Sequence, residues 1–496
     1  MDPAFLAIPA DSLAAAALGQ AAACGAEHAS FHLSRTRTAR LLLRDGAKVS
    51  SSDETRTAMS VRLLRQGTWG FATAADLTPE AAAGAARQAA AVAGACAVAG
   101  LERAGLSSEP AYAGATWVSS YRVNPFDVSE AERIATLAQW SHDLLASDVV
   151  GHVMAFLSAV QENKFYADLA GTSTTQQRVR VFPLLAVDSA DGGDGARTTL
   201  RTCGPPAGRG WEYLDGEGWD WASELAELPA HLAEKLRARP VEPGRYDLVI
   251  DPSNLWLTIH ESVGHATELD RVLGYEASFG GTSFASQAAP GRLRYGSALM
   301  TITMDRTAPH GLATVGFDDE GVAAQSWQAV DQGLLTAFQL DRRTARLAGA
   351  GRSNGCSCAE SAAFPPIQRM PNVNLAPAPN GPATADLIGS VANGIFIVGA
   401  DSWSIDMQRR NFQLTGQRCY RISNGRLAGQ LRGVAYQADT IEFWSALRAV
   451  AGAGSYRLFG ADMCGKGQPL QTSAASHGCP SALFEGIAVI DSGAEL

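Results

Sequence analysis

The sequence predicts an α+β protein of two domains: an N-terminal α/β layer domain over residues 1–239, and a C-terminal domain over residues 240–496 dominated by mostly antiparallel sheet. Three observations predict it. A chain of 496 residues exceeds one ordinary domain and suffices for two full cores. Its first half alternates alanine-rich helical stretches with runs of apolar–polar alternation, the pattern of helices laid on a sheet. Its second half is a series of strand-like runs punctuated by glycine, with few helical stretches between them.

The elements follow in order. Asp11 to about Ala26 reads as a helix, and Phe31–Val49 and Ser60–Phe71 as strands, with Gly67-Thr-Trp-Gly70 at a turn. Thr78-Pro-Glu80 has the form of a helix N-cap followed by proline, opening an alanine-rich helix towards Gly94. A helix from Ser129 to about Ala146 precedes strands at Val153–Val160 and Thr175–Val187. The breaker cluster Gly204-Pro-Pro-Ala-Gly-Arg-Gly210, an amphipathic helix from Trp219 to Arg237 and the linker Arg239-Pro-Val-Glu-Pro-Gly244 place the domain boundary near residue 240. The strand Tyr246–Asp251 starts the second domain, which carries the histidine-bearing helix described next.

Composition narrows the class. Hydrophobic residues at 46% and charged residues at 18% exclude intrinsic disorder. A net charge of −10 repels phosphate backbones, so no nucleic-acid partner is expected. The N-terminus lacks the basic region of a secretory signal, and no run of strongly apolar residues is long enough to span a bilayer, so no membrane is expected. The eight cysteines are scattered through a large chain, which reads as reduced thiols and a cytoplasmic protein.

Chemistry concentrates in Leu257-Thr-Ile-His260-Glu261-Ser-Val-Gly-His265-Ala-Thr-Glu268-Leu-Asp270. Two imidazoles can bind a metal, and a carboxylate beside them can take a proton from water activated there. Histidines five apart point about 140° from each other on a straight α-helix, so they cannot share one ion. A π-bulge, which adds a residue to one turn, realigns them, and Gly264 eases that distortion. Spacing alone leaves the third ligand open among Glu268, Asp270, His310, Cys464, His477 and Cys479. Two buried core histidines remain the bland alternative.

Five motifs in order, from His260 to Gln468, resemble the TldD/PmbA family of metallopeptidases. His260-Glu-Ser-Val-Gly-His265 with Glu268 and Asp270 resembles the family's HExxxH signature and its tail. Phe317-Asp-Asp-Glu-Gly321, Val330–Leu335, Arg369-Met370-Pro-Asn372 and Cys464-Gly-Lys-Gly-Gln468 resemble its later segments. The resemblance implies a zinc peptidase in which His260, His265 and Cys464 hold the metal and Glu261 is the general base. It further implies unfolded peptide substrates and a dimer, either of one chain or with a related inactive subunit. A non-catalytic, zinc-bearing partner subunit is the alternative reading. A thiolate suits zinc, and Gly465 and Gly467 let backbone approach closely beside Cys464. Glu268 is read as a possible ligand or as a hydrogen-bond partner of a ligating histidine, alongside Asp270; Arg369 could hold a substrate carboxylate or anchor its own loop. His477 and Cys479 are read as lying in a polar loop, Cys356-Ser-Cys358 as unremarkable thiols, and Asp318–Glu320 as a turn-forming cluster. One segment departs from the family: Ala400-Asp-Ser-Trp-Ser-Ile-Asp406 stands where many members have a glycine-rich run, which predicts a differently shaped substrate channel.

Overall fold

A computed structural model describes residues 1–99, 104–190 and 198–493. The N-terminal sheet runs Thr68–Ala74, Ala47–Arg65, His28–Arg44, Val150–Asp168, Ser173–Ser189, Ala115–Val118, with Thr199–Arg201 also pairing to Ser173–Ser189. Its neighbours are antiparallel except the short Ala115–Val118, which runs parallel to its partner. Two predicted strands need correction. Phe31–Val49 is broken at Asp45-Gly46 and Ser60–Phe71 at Gln66-Gly67, all four residues having φ between 53° and 78°. Such left-handed pairs make tight hairpins, and Asp-Gly is the sequence signal that marks the first of them.

The predicted cap holds: Thr78 accepts from the Ala81 N–H at the start of helix Pro79–Val98; Ser129 likewise accepts from the Glu132 N–H at the start of Glu130–Leu145. Pro79–Val98 buries Ala82, Ala85, Ala86, Ala89, Ala90 and Ala93 in one cluster with Met59, Val61 and Leu63 of the sheet. By length and composition this helix could cross a bilayer. That corrects the expectation that no segment passes such a test; here the apolarity is that of a face laid on strands. The contact is backbone-close, because a Cβ on Gly70 would lie 1.8 Å from the Ala89 carbonyl oxygen. Gly70→Ala must therefore push helix and sheet apart, and we expect a loss of about 1–3 kcal/mol, read as a lowered urea midpoint.

The C-terminal sheet closes on itself. Asn393–Ile405, Gly244–Ile250, Ala482–Asp491, Val434–Asp439 and Asn411–Ser423 pair in that order, and the last pairs back to the first. Tyr436, Phe443 and Phe484 are buried in the core packed on these strands, the last two stacked at 4.1 Å. The N-terminal sheet meets the C-terminal half through partly buried ion pairs: Arg180 with Asp462 (2.9 Å), Lys164 with Asp319 (2.6 Å) and Arg62 with Glu320 (2.7 Å). The acidic run is thus a turn that docks: Asp318 accepts from the Glu320 and Val322 N–H groups, and its two neighbours face cations from the N-terminal sheet.

Candidate metal centre

Strand Gly244–Ile250 ends at Asp251, whose carboxylate caps the helix Pro252–Ile259 by accepting from the Ser253 N–H. Asn254 donates to the carbonyls of Gly399 (3.1 Å) and Thr415 (2.9 Å), tying this helix to the ring of strands. It runs directly into a π turn, His260–Gly264, closed by the His265 N–H on the His260 carbonyl. The extra residue brings together two imidazoles that a straight helix would splay. Gly264 serves differently from expectation. Its φ is an ordinary −55°, and a Cβ there would meet the Met370 sulfur at 2.5 Å, so a larger residue requires the end of that flexible side chain to move.

One ligand atom each from His260, His265 and Cys464 lies within 4.8 Å of the others, and all three residues are buried. His265 Nε2 is 3.4 Å from Cys464 Sγ. Zn–N and Zn–S bonds of about 2.0 and 2.3 Å in a tetrahedron separate donors by about 3.5 Å, so the pair fits one ion. Burial alone would push the Cys464 thiol up; His265 and Arg369 beside it outweigh that and hold it below its ordinary value, towards the thiolate a metal needs.

Each imidazole is oriented by its other nitrogen. His260 Nδ1 is 2.7 Å from His477 Nε2, and His265 Nδ1 is 3.2 Å from Glu268 Oε2. His477 therefore belongs to the site, correcting the reading of a polar loop. The run Gln471–Cys479 is a strand paired with Arg457–Lys466, and its small residues let it pass through the interior. His477 is fully buried, stacks on Trp256 at 4° between planes, and is kept neutral by burial and by the neighbouring imidazoles. Glu268 is held by Arg271 Nε (3.0 Å) and Lys466 Nζ (3.2 Å), and Lys466 also reaches Asp270 (2.8 Å). Burial would raise the Glu268 carboxyl, but Lys466 and Arg271 hold it well below its ordinary value.

Glu261, next to His260 in the chain, has Oε2 2.8 Å from Arg409 Nη1. Burial would raise its pKa; the paired histidines and Arg409 bring it below the ordinary carboxylate range, so the group is ionised. Arg409 has φ +62° in the loop after Asn393–Ile405 and also donates to the Gly280 carbonyl. Sequence reading gave it no role, although a bulky residue forced left-handed is a signal of constraint that only coordinates reveal.

Other candidates fall away from the donors. Arg369 is 2% exposed and donates to the carbonyls of Cys464 and Gln471. It clamps the strand that carries Cys464 and is not on the cavity wall, which agrees with the anchoring alternative and not with the substrate one. Asp270 serves Lys466. His310 faces the Gly208 carbonyl at 3.3 Å, and Cys479 faces that of Pro252. Cys356 is buried with its thiol pushed up to about 12 by burial.

The donors open on a cavity of about 390 Å³. Its walls come from both sheet systems: Phe182, Leu184 and Arg201–Pro206 on one side, and Phe459–Ala461 with Met463–Gly465 on the other. Ala400, Asp401 and Trp403 of the departing segment also line it, Trp403 being 55% exposed.

Comparison with known proteins agrees with this architecture. Residues 243–491 match the PmbA/TldA metallopeptidase C-terminal domain, and residues 33–93 match PmbA/TldA metallopeptidase domain 1. A metalloprotease of Methanothermobacter thermautotrophicus is 28% identical over 89% of this chain and 90% of its own length. A zinc metalloprotease TldD homolog of Saccharolobus solfataricus is 24% identical over 46% of this chain and 48% of its own. The crystal structure of a candidate DNA gyrase modulator from Thermotoga maritima superposes with a TM-score of 0.74, at 15% identity, over 97% of this chain and 99% of that one. With the C-terminal match alone spanning half of the sequence, the chain belongs to the TldD/PmbA family of metallopeptidases.

Proposed function

We propose that the protein is a zinc-dependent peptidase acting on unfolded or extended peptides. The observation that carries the reading is a three-donor set, His260, His265 and Cys464, beside an ionised Glu261 at the base of a cavity. Three protein donors leave a position for substrate chemistry, whereas closed four-donor sites are structural. The one further imidazole at hand, His477, is already hydrogen-bonded to His260, so it does not close the set.

When bound, zinc supplies a Lewis acid that lowers the pKa of water and polarises a carbonyl. The chain's own residues do the rest. His477 and Glu268 fix which nitrogen of each ligating imidazole faces the metal. Arg409 occupies one oxygen of Glu261, so the other is free to take the proton of the attacking water and return it to the leaving amine. Strand Arg457–Lys466 pairs only with Gln471–Cys479 among the described strands and presents Phe459–Ala461 to the cavity. Such an edge can receive a peptide as an added strand, which favours extended substrates over folded ones.

The test is zinc per chain by elemental analysis, with turnover of an unstructured peptide, on wild type and Cys464→Ala. We expect near one zinc and chelator-sensitive cleavage in the wild type, with at least about tenfold weaker zinc retention in the variant. A metal-loaded wild type that cuts no unstructured peptide would leave the partner-subunit reading in its place.

A further inference from the structure

Beside the metal cavity lies a larger one, of about 730 Å³, between helix Trp221–Leu236 and the strands Asn393–Ile405 and Asn411–Ser423. The two share the wall residues Arg201, Cys203 and Ser253. Ser253 precedes His260 by seven residues on one helical run, so this junction lies about 10 Å along the axis from the first imidazole. An extended peptide covers that distance in about three residues.

Arg418 is the unusual group in the second cavity. Its guanidinium is half-buried, and its one hydrogen bond among the described residues goes to Cys203 Sγ at 3.7 Å. Burial pushes that thiol up to about 11, so the partner is neutral at physiological pH. The carboxylates of the same wall are engaged elsewhere. Glu224 accepts from the Cys203 and Gly204 N–H groups and from Trp219, Asp251 from Ser253, and Asp220 from Ser223, while Glu227 faces His231. A guanidinium carries five donors in a planar fork that matches a carboxylate; the charge of Glu224 favours that of Arg418, but no carboxylate hydrogen-bonds it among the described residues, so most of the fork is unfilled.

We propose that Arg418 is the substrate-selecting residue of this second cavity, where it binds a carboxylate of the peptide about three or more residues from the bond cut at the metal. This rests on the peptidase reading above and adds a substrate class to it: peptides with an acidic side chain, or a free C-terminus, at that distance. The test measures binding separately from cleavage. Three labelled eight-residue alanine-based peptides are titrated against the chelator-treated full chain by fluorescence anisotropy. One is neutral with an amidated C-terminus, one is amidated with glutamates towards both ends, and one is neutral with a free C-terminal carboxylate.

At least one carboxylate peptide is expected to bind about tenfold tighter than the neutral one, and which one does so identifies the source of the anion. Arg418→Gln should erase that preference, and Arg418→Lys should retain part of it. Indistinguishable binding of all three peptides, or a preference that survives in Arg418→Gln, would overturn the subsite. Repeating the series with zinc and following cleavage addresses the peptidase reading alone: selective binding without cleavage would remove the reaction and leave the anion site standing.

Discussion

Glu261→Gln is expected to keep its zinc and lose peptide cleavage by about 10²–10⁴-fold, the range a positioned general base contributes. The structure argues for this separation. Glu261 is not one of the three clustered donors, so the amide leaves their chemistry untouched. Its carboxylate is held by the Arg409 guanidinium at 2.8 Å, and glutamine offers one oxygen to the same partner with little change of shape. What the amide cannot do is accept a proton at the free position. The loss should therefore appear in kcat with KM nearly unchanged, measured on one unstructured peptide and set against zinc content from the same preparation. Retained turnover would remove Glu261 as the base; lost zinc would instead give the residue a structural part in the centre.

The π turn shows how much of this site was legible in the sequence. Histidines five apart conflict with a straight helix, and that conflict alone predicts the extra residue found at His260–Gly264. Helices with caps and alanine faces were equally readable, because their signals lie within one turn of the chain. His477 was not. It stands 217 residues from His260, in a run of serine, alanine and glycine whose composition reads as loop. Small residues are a strand's answer to crowding, and the paired strand comes so close that a Cβ on its Gly460 would lie 2.3 Å from the Ala475 carbonyl oxygen in this run. Arg409 and Arg418 were likewise silent, since the role of each depends on what a distant loop places opposite it. Local periodicity reports elements, whereas the partner of a buried charge is fixed only by the closure of the sheets.

Lys466→Met should be the most destabilising single change near the centre, by about 3–5 kcal/mol. Lys466 is fully buried, and its ammonium lies between Glu268 at 3.2 Å and Asp270 at 2.8 Å. Methionine fills nearly the same volume, so the cost is electrostatic: Glu268 keeps Arg271, but Asp270 loses its only cation among the described ion pairs. Urea unfolding measures the loss, and a second substitution separates charge from packing. Asp270→Asn removes the carboxylate left unpaired by the first change, so the double variant should be more stable than the sum of the single changes allows. Additive losses would mean that shape rather than charge sets the cost. The same variants should retain zinc about 10–100-fold more weakly, because Glu268 orients His265 through a hydrogen bond that Lys466 helps to place. That second readout ties the buried ion cluster to the metal centre: a fold lost without any effect on zinc in the surviving native protein would show the cluster to serve stability alone.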